Sequence, residues 1–121
     1  VLVKGQQFTF LDLERMSAGD SMIDLGNLAA QLLILPHRLD DTVSQATADS
    51  WRRALLAGWS SSGGTIREDK LAAMTAASLI KLAHGAMRHL RPGWRSQVQT
   101  CLDLACGELA GARAAVGVLR C

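Results

Sequence analysis

A mainly α-helical domain is what this sequence predicts, and three observations predict it. Ala, Leu and Gly dominate a composition that is 49% hydrophobic and only 4% aromatic, a mix that packs as helices rather than sheets. Apolar residues recur at helical spacing in four segments. Between those segments stand helix punctuators: Gly19-Asp20-Ser21, Pro36, Ser60 to Gly64, and Arg91-Pro92-Gly93. The expectation is a short N-terminal β-hairpin followed by about four helices, in one domain of 121 residues. Residues 1–19 would hold the hairpin and a loop, and residues 20–121 the helical part.

The hairpin is read from two β-prone runs, Val1-Leu2-Val3 and Phe8-Thr9-Phe10-Leu11, flanking a turn at Lys4-Gly5-Gln6-Gln7. Two strands alone are marginal in water and need another layer to pack on. Asp20 is the natural N-cap of the first helix, since its carboxylate can accept from N–H groups of the first turn. Leu25, Leu28, Ala29 and Leu32 share one face there, and the helix should stop before Pro36. A second helix is expected from Asp40-Asp41-Thr42, with Val43, Thr47, Trp51, Leu55 and Gly58 on one face and Asp49, Arg52 and Arg53 elsewhere. Ser60 to Gly64 reads as a flexible loop. Thr65-Ile66-Arg67-Glu68 is a capping-box pattern opening a third helix that runs to about His89. That helix is apolar on almost every side from Leu71 to Ala83, so it should be the central one. The last helix is expected from Trp94 to Val118, with Val98, Leu102, Ala105, Leu109, Ala112 and Val116 as its stripe. Gly107 and Gly111 leave room for a close neighbour.

Charge and cysteine content narrow the classes of function. The net charge is +2, with Lys and Arg spread among Asp and Glu, so no basic stripe points to nucleic acid. No apolar run reaches the roughly 18 residues a membrane span needs, and the first residues lack the layout of a signal peptide. Three cysteines, Cys101, Cys106 and Cys121, form no Cys-x-x-Cys pair. A zinc site or disulfide framework is not expected, and a reducing, cytoplasmic location is. Cys101 and Cys106 read as small buried hydrophobes.

The stretch that carries chemistry runs from Phe10 to Asn27. Asp12 directly follows an apolar strand, and Glu14 lies two positions on, so both side chains point the same way if the strand continues. Carboxylates in that arrangement suit Mg²⁺, which prefers carboxylate oxygens together with substrate phosphates. Gly19-Asp20-Ser21 and Asp24-Leu25-Gly26-Asn27 complete the pattern.

This stretch resembles the metal-binding motif of the aminoglycoside phosphotransferase and choline kinase group. The group's pattern is an apolar strand, Asp, an apolar residue, often an acid, then Gly-Asp-Pro, then Asp-Leu-Ala opening a helix. Ser21 stands where the group usually has Pro, and Gly26 where it has Ala. Asn27 matches the choline kinase version. The resemblance covers about the first quarter of the chain and implies the C-terminal lobe of a protein kinase-like fold. It implies that Asp12 takes the role of the kinase DFG aspartate, holding Mg²⁺ against the phosphates of ATP, with Glu14 a second candidate metal residue. Asp20 would cap the helix and shape the loop. Asp24, read as a carboxylate buried among Met22, Ile23 and Leu25, would support the catalytic loop through its backbone, with Asn27 beside it.

The resemblance also implies what should lie ahead of Val1. A catalytic Asp, a second metal-holding Asn and a nucleotide-binding lobe would precede the strand Val1-Leu2-Val3, so the chain reads as the C-terminal piece of a longer protein. The expected function is ATP-dependent transfer of a γ-phosphoryl group to a hydroxyl of a small-molecule acceptor. These 121 residues alone would be inactive, would bind Mg²⁺ weakly, and could associate as a homodimer through the face meant for the missing lobe. The competing expectation is a non-catalytic helical interaction module or a degenerate kinase relative.

The remaining conspicuous residues have plainer readings. His84 and His89 are five apart and share no helix face, and His37 sits beside Pro36 in a loop. Trp51, Trp59 and Trp94 could line a pocket for a cationic group, but core packing accounts for them as well.

Overall fold

The computed structural model describes residues 2–5, 7–9, 19–38, 43–90 and 92–118. Four helices make up most of it: α1 (Ser21–Ile34), α2 (Gln45–Ser61), α3 (Glu68–His89) and α4 (Trp94–Val118). Ahead of them, strands β1 (Leu2–Lys4) and β2 (Gln7–Thr9) pair antiparallel, with Leu2 opposite Thr9 and Lys4 opposite Gln7. A single 3₁₀ turn, Leu35–His37, follows α1 and takes in Pro36. The α-helix ends just short of the proline, but Leu35 before it keeps a helical backbone (φ −55°, ψ −47°), so the chain tightens into the 3₁₀ turn rather than leaving the helical region at Pro36.

Helix α3 is the central element and packs against α1 on one side and α4 on the other. One core cluster joins Ala30, Leu33 and Ile34 of α1, Ala76, Leu79 and Ala83 of α3, and Cys101 and Ala105 of α4. A second joins Met22, Leu25 and Leu71, flanked by Leu55, Leu56 and Trp59 of α2. Small residues line these seams because they let the helix axes approach closely.

That preference shifts the inward faces from those expected. On α1 the buried residues are Met22, Leu25, Gly26, Ala29, Ala30, Leu33 and Ile34, while Leu28 is 52% exposed. On α2 the inward residues are Ala48, Leu55, Leu56 and Trp59, and Thr47 and Trp51 face outward. On α4 Cys101 and Ala105 are buried while Leu102 and Leu109 are exposed. A reading that follows the bulkiest residues rotates each stripe by about one position, or ~100°.

Helix starts also differ from expectation. Helix α2 begins at Gln45, where the Thr47 N–H donates to Ser44 Oγ at 3.2 Å; residues 40–42, the expected start, lie outside the described residues. Helix α3 opens at Glu68 with Arg67 as its cap residue and no side-chain cap bond, so the Thr65–Glu68 capping box does not form. Glu68 and Asp69 in the first turn complement the helix dipole instead. Helix α2 continues through Ser60 and Ser61, which were expected in a loop, and the Ser61 and Ser62 hydroxyls both donate to the Gly58 carbonyl at 2.9 Å. Gly63 then turns the chain with φ 85°.

At the end of α3, Leu90 holds a left-handed conformation with φ 46°, and its N–H closes on the Ala86 carbonyl. A side chain at that backbone geometry costs roughly 1–2 kcal/mol, and Leu90 recovers little by burial, being 66% exposed. Leu90→Gly is expected to raise folding stability by about 1 kcal/mol, read as a higher urea midpoint at unchanged m-value. An unchanged or lower midpoint would contradict this account of the turn.

Candidate functional site

Asp12 and Glu14, the expected metal residues, lie outside the described residues. Asp20 is where expected, at the N-cap of α1. Its Oδ1 accepts from the Met22 N–H at 3.0 Å, and its Oδ2 pairs with the Lys70 ammonium. The first turn of α3 thus reaches across to the start of α1. Lys70 foremost, and then the Met22 N–H, hold the Asp20 carboxyl below its ordinary value of 3.8.

A carboxyl with a depressed folded-state pKa stabilises the fold above its unfolded value and loses that contribution as pH falls through the folded one. An Asn at position 20 keeps a cap but loses the charge facing Lys70. The stability difference between the native sequence and Asp20→Asn should therefore be present at neutral pH and shrink progressively below about pH 3.8. Urea titrations at stepped pH read this directly. A difference independent of pH would remove the ion pair from the account.

Asp24 departs from its expected setting. Met22 and Leu25 are buried, but Ile23 and Asp24 are exposed, because successive helical residues point about 100° apart. Asp24 makes no ion pair or side-chain hydrogen bond among the described residues. It shares the outward face of α1 with Asn27, Ile23 (54% exposed) and Leu28 (52% exposed).

Two clefts open between the helices. The larger, about 550 Å³, lies between α2, α3 and α4. Arg52 crosses it and donates to Glu108 Oε2 at 2.8 Å, so its main charged pair is already mutually engaged. Arg52 was expected off the apolar face of α2, and it is half-buried. A contact between residues 56 apart leaves no local pattern in the sequence. The smaller cleft, about 420 Å³, lies between α1, α3 and the start of α4, and Asn27 lines it with Gln31, Ser78, Lys81, His89 and Gln97. Sequence reasoning singled out only Asn27 and His89 among these. The other four are ordinary surface polar residues until the helices bring them together.

The cysteines divide. Cys101 is fully buried and burial pushes its thiol up, as befits a packing residue. Cys106 is exposed, contrary to expectation. The Trp59 indole is half-buried against Gly64, where any side chain would collide with the ring. Arg95 stacks over Trp94 at 4.6 Å from the ring centroid. Among the described residues, no three His, Cys, Asp or Glu side chains converge as a metal site, and no helix is long and apolar enough to cross a membrane.

The described residues form a helical domain in which Asp20 caps α1 and Asp24 and Asn27 lie on its exposed side. No protein-family model matches the chain, and no curated protein or solved structure matches it either.

Proposed function

We propose that this chain is the metal-side and acceptor-side part of an ATP-dependent phosphotransferase that acts on a hydroxyl of a small molecule, resembling the aminoglycoside phosphotransferase and choline kinase group. The observation that carries the reading is the spacing of Asp12, Glu14, Asp20, Asp24 and Asn27, with Asp20 acting as the cap that opens α1. In this reading the fold corresponds to the C-terminal lobe of a kinase-like enzyme. Asp12, with Glu14 beside it, would hold Mg²⁺, which neutralises charge on the transferring phosphoryl group when bound. Asp20 fixes the start of α1 through the Met22 N–H and Lys70. The outward strip of α1, with Asp24 and Asn27 between Ile23 and Leu28, is the surface against which a catalytic loop would rest. The catalytic aspartate would come from outside these 121 residues.

Asp12→Ala in the intact native protein is expected to lower the rate of phosphoryl transfer about 100-fold or more while leaving the melting temperature unchanged. Undiminished transfer by that variant would remove Asp12 from the metal role. The exposure of Ile23 and Leu28 also suits a second reading, a helical module that binds a partner through α1. A folded native protein with no transferase activity would favour it.

A further inference from the structure

The smaller cleft has a chemistry of its own. Six polar side chains converge on it: Asn27 and Gln31 from α1, Ser78, Lys81 and His89 from α3, and Gln97 from α4. Among the described residues, none of the six is engaged in a side-chain hydrogen bond or ion pair, whereas the larger cleft's Arg52 and Glu108 are paired with each other. No acidic side chain lines the cleft among those residues. Lys81 also has no counterion on its own helix: the positions three and four away are Ala77, Ser78, His84 and Gly85. Asp24, one turn of α1 from Asn27, does not line the cleft.

We infer that this cleft binds a small polyhydroxylated anion, a sugar acid or a sugar phosphate. Carboxamides and a serine hydroxyl both donate and accept, which is the pairing that sugar hydroxyls need. The Lys81 ammonium supplies a charge for a carboxylate or phosphate. Leu82, which also lines the cleft, offers an aliphatic surface for the C–H face of a sugar ring. A volume of about 420 Å³ lies within the range of small-molecule sites. Asn27 lies only about 4.5 Å along α1 from Asp24, so the ligand would sit beside the motif. As an acceptor site the assignment rests on the phosphotransferase reading; as a binding site it does not. It turns the acceptor class away from cationic amines, which a Lys-bearing cleft without carboxylates repels.

The test is a titration of the ¹⁵N-labelled chain with gluconate, glucose 6-phosphate, glucose and choline, following the side-chain amide signals of Asn27, Gln31 and Gln97. Saturable shifts of these signals are expected with gluconate, glucose 6-phosphate or both, and the active member distinguishes a carboxylate from a phosphate ligand. Glucose and choline should bind about tenfold more weakly or worse, and Lys81→Gln, an exposed substitution, should weaken anion binding about tenfold. The inference is overturned if neither anion shifts these signals, if choline binds as well as the anions, or if Lys81→Gln leaves affinity unchanged. Saturable anion binding without ATP-dependent transfer in the native protein would count against the phosphotransferase reading and leave the cleft assignment standing. Transfer to choline with no anion binding would do the reverse.

Discussion

Gly26→Ala should destabilise the fold by about 2 kcal/mol or more, although alanine is the better helix former. A Cβ at position 26 would lie 2.5 Å from Met74 Cβ, 2.8 Å from the Met74 carbonyl carbon and 2.9 Å from the Thr75 nitrogen. Two of those three atoms belong to the backbone of α3, so a rotamer change cannot clear them. The helices would have to separate; overpacking costs roughly 1–3 kcal/mol and occasionally more, and a clash with backbone atoms belongs at the upper end, about 3 kcal/mol. Alanine's higher helix propensity returns only about 1 kcal/mol, so the net effect is a loss. Urea denaturation measures it as a lower midpoint. An unchanged midpoint would mean that α1 and α3 do not meet as closely as described.

Leu79→Ala should cost about 3–4 kcal/mol. Leu79 is fully buried at the centre of α3, where α1 and α4 both reach it, among Ala30, Ala76, Ala83, Cys101 and Ala105. The small members of this cluster sit on backbone-borne Cβ atoms and cannot reach into the space left behind, although Leu33 and Ile34 share the cluster. Such a cavity places the loss within the roughly 2–5 kcal/mol seen for buried leucine truncations. Domains of this size have about 5–15 kcal/mol in total, so the variant should be visibly closer to unfolding at room temperature. Loss of less than about 1 kcal/mol would contradict the assignment of α3 as the centre of the core.

These two residues also show how far the sequence could be read. The central place of α3 was legible, because a segment apolar on nearly every side has nowhere to go but the middle. The extents of α3 and α4 were legible too, since Arg91-Pro92-Gly93 interrupts both patterns. The stripes on α1, α2 and α4 were read a position off, because the seams are built from Ala, Gly and Cys while several leucines face outward. At Gly26 the packing role was not legible: only the closeness of Met74 and Thr75 shows that a Cβ has no room there. The cap of α1 was legible from Asp20 alone, whereas its Lys70 partner depends on the packing of α3 and has no local signature. The same holds for Arg52 with Glu108, and for the gathering of Gln31, Ser78, Lys81 and Gln97 around Asn27. The cap of α3 was misread because Thr65 and Glu68 have the right spacing, yet the helix begins at Glu68 itself.

The central claim is phosphoryl transfer. Its most direct test is to incubate the native protein, isolated from its source cells, with ATP, Mg²⁺ and a panel of sugar acids, sugar phosphates, neutral sugars and amino alcohols, and to follow acceptor mass. The account predicts that one acceptor class gains a single phosphoryl group in a reaction that needs ATP and stops when Mg²⁺ is chelated. A folded native protein that modifies none of these acceptors and leaves ATP intact would contradict it.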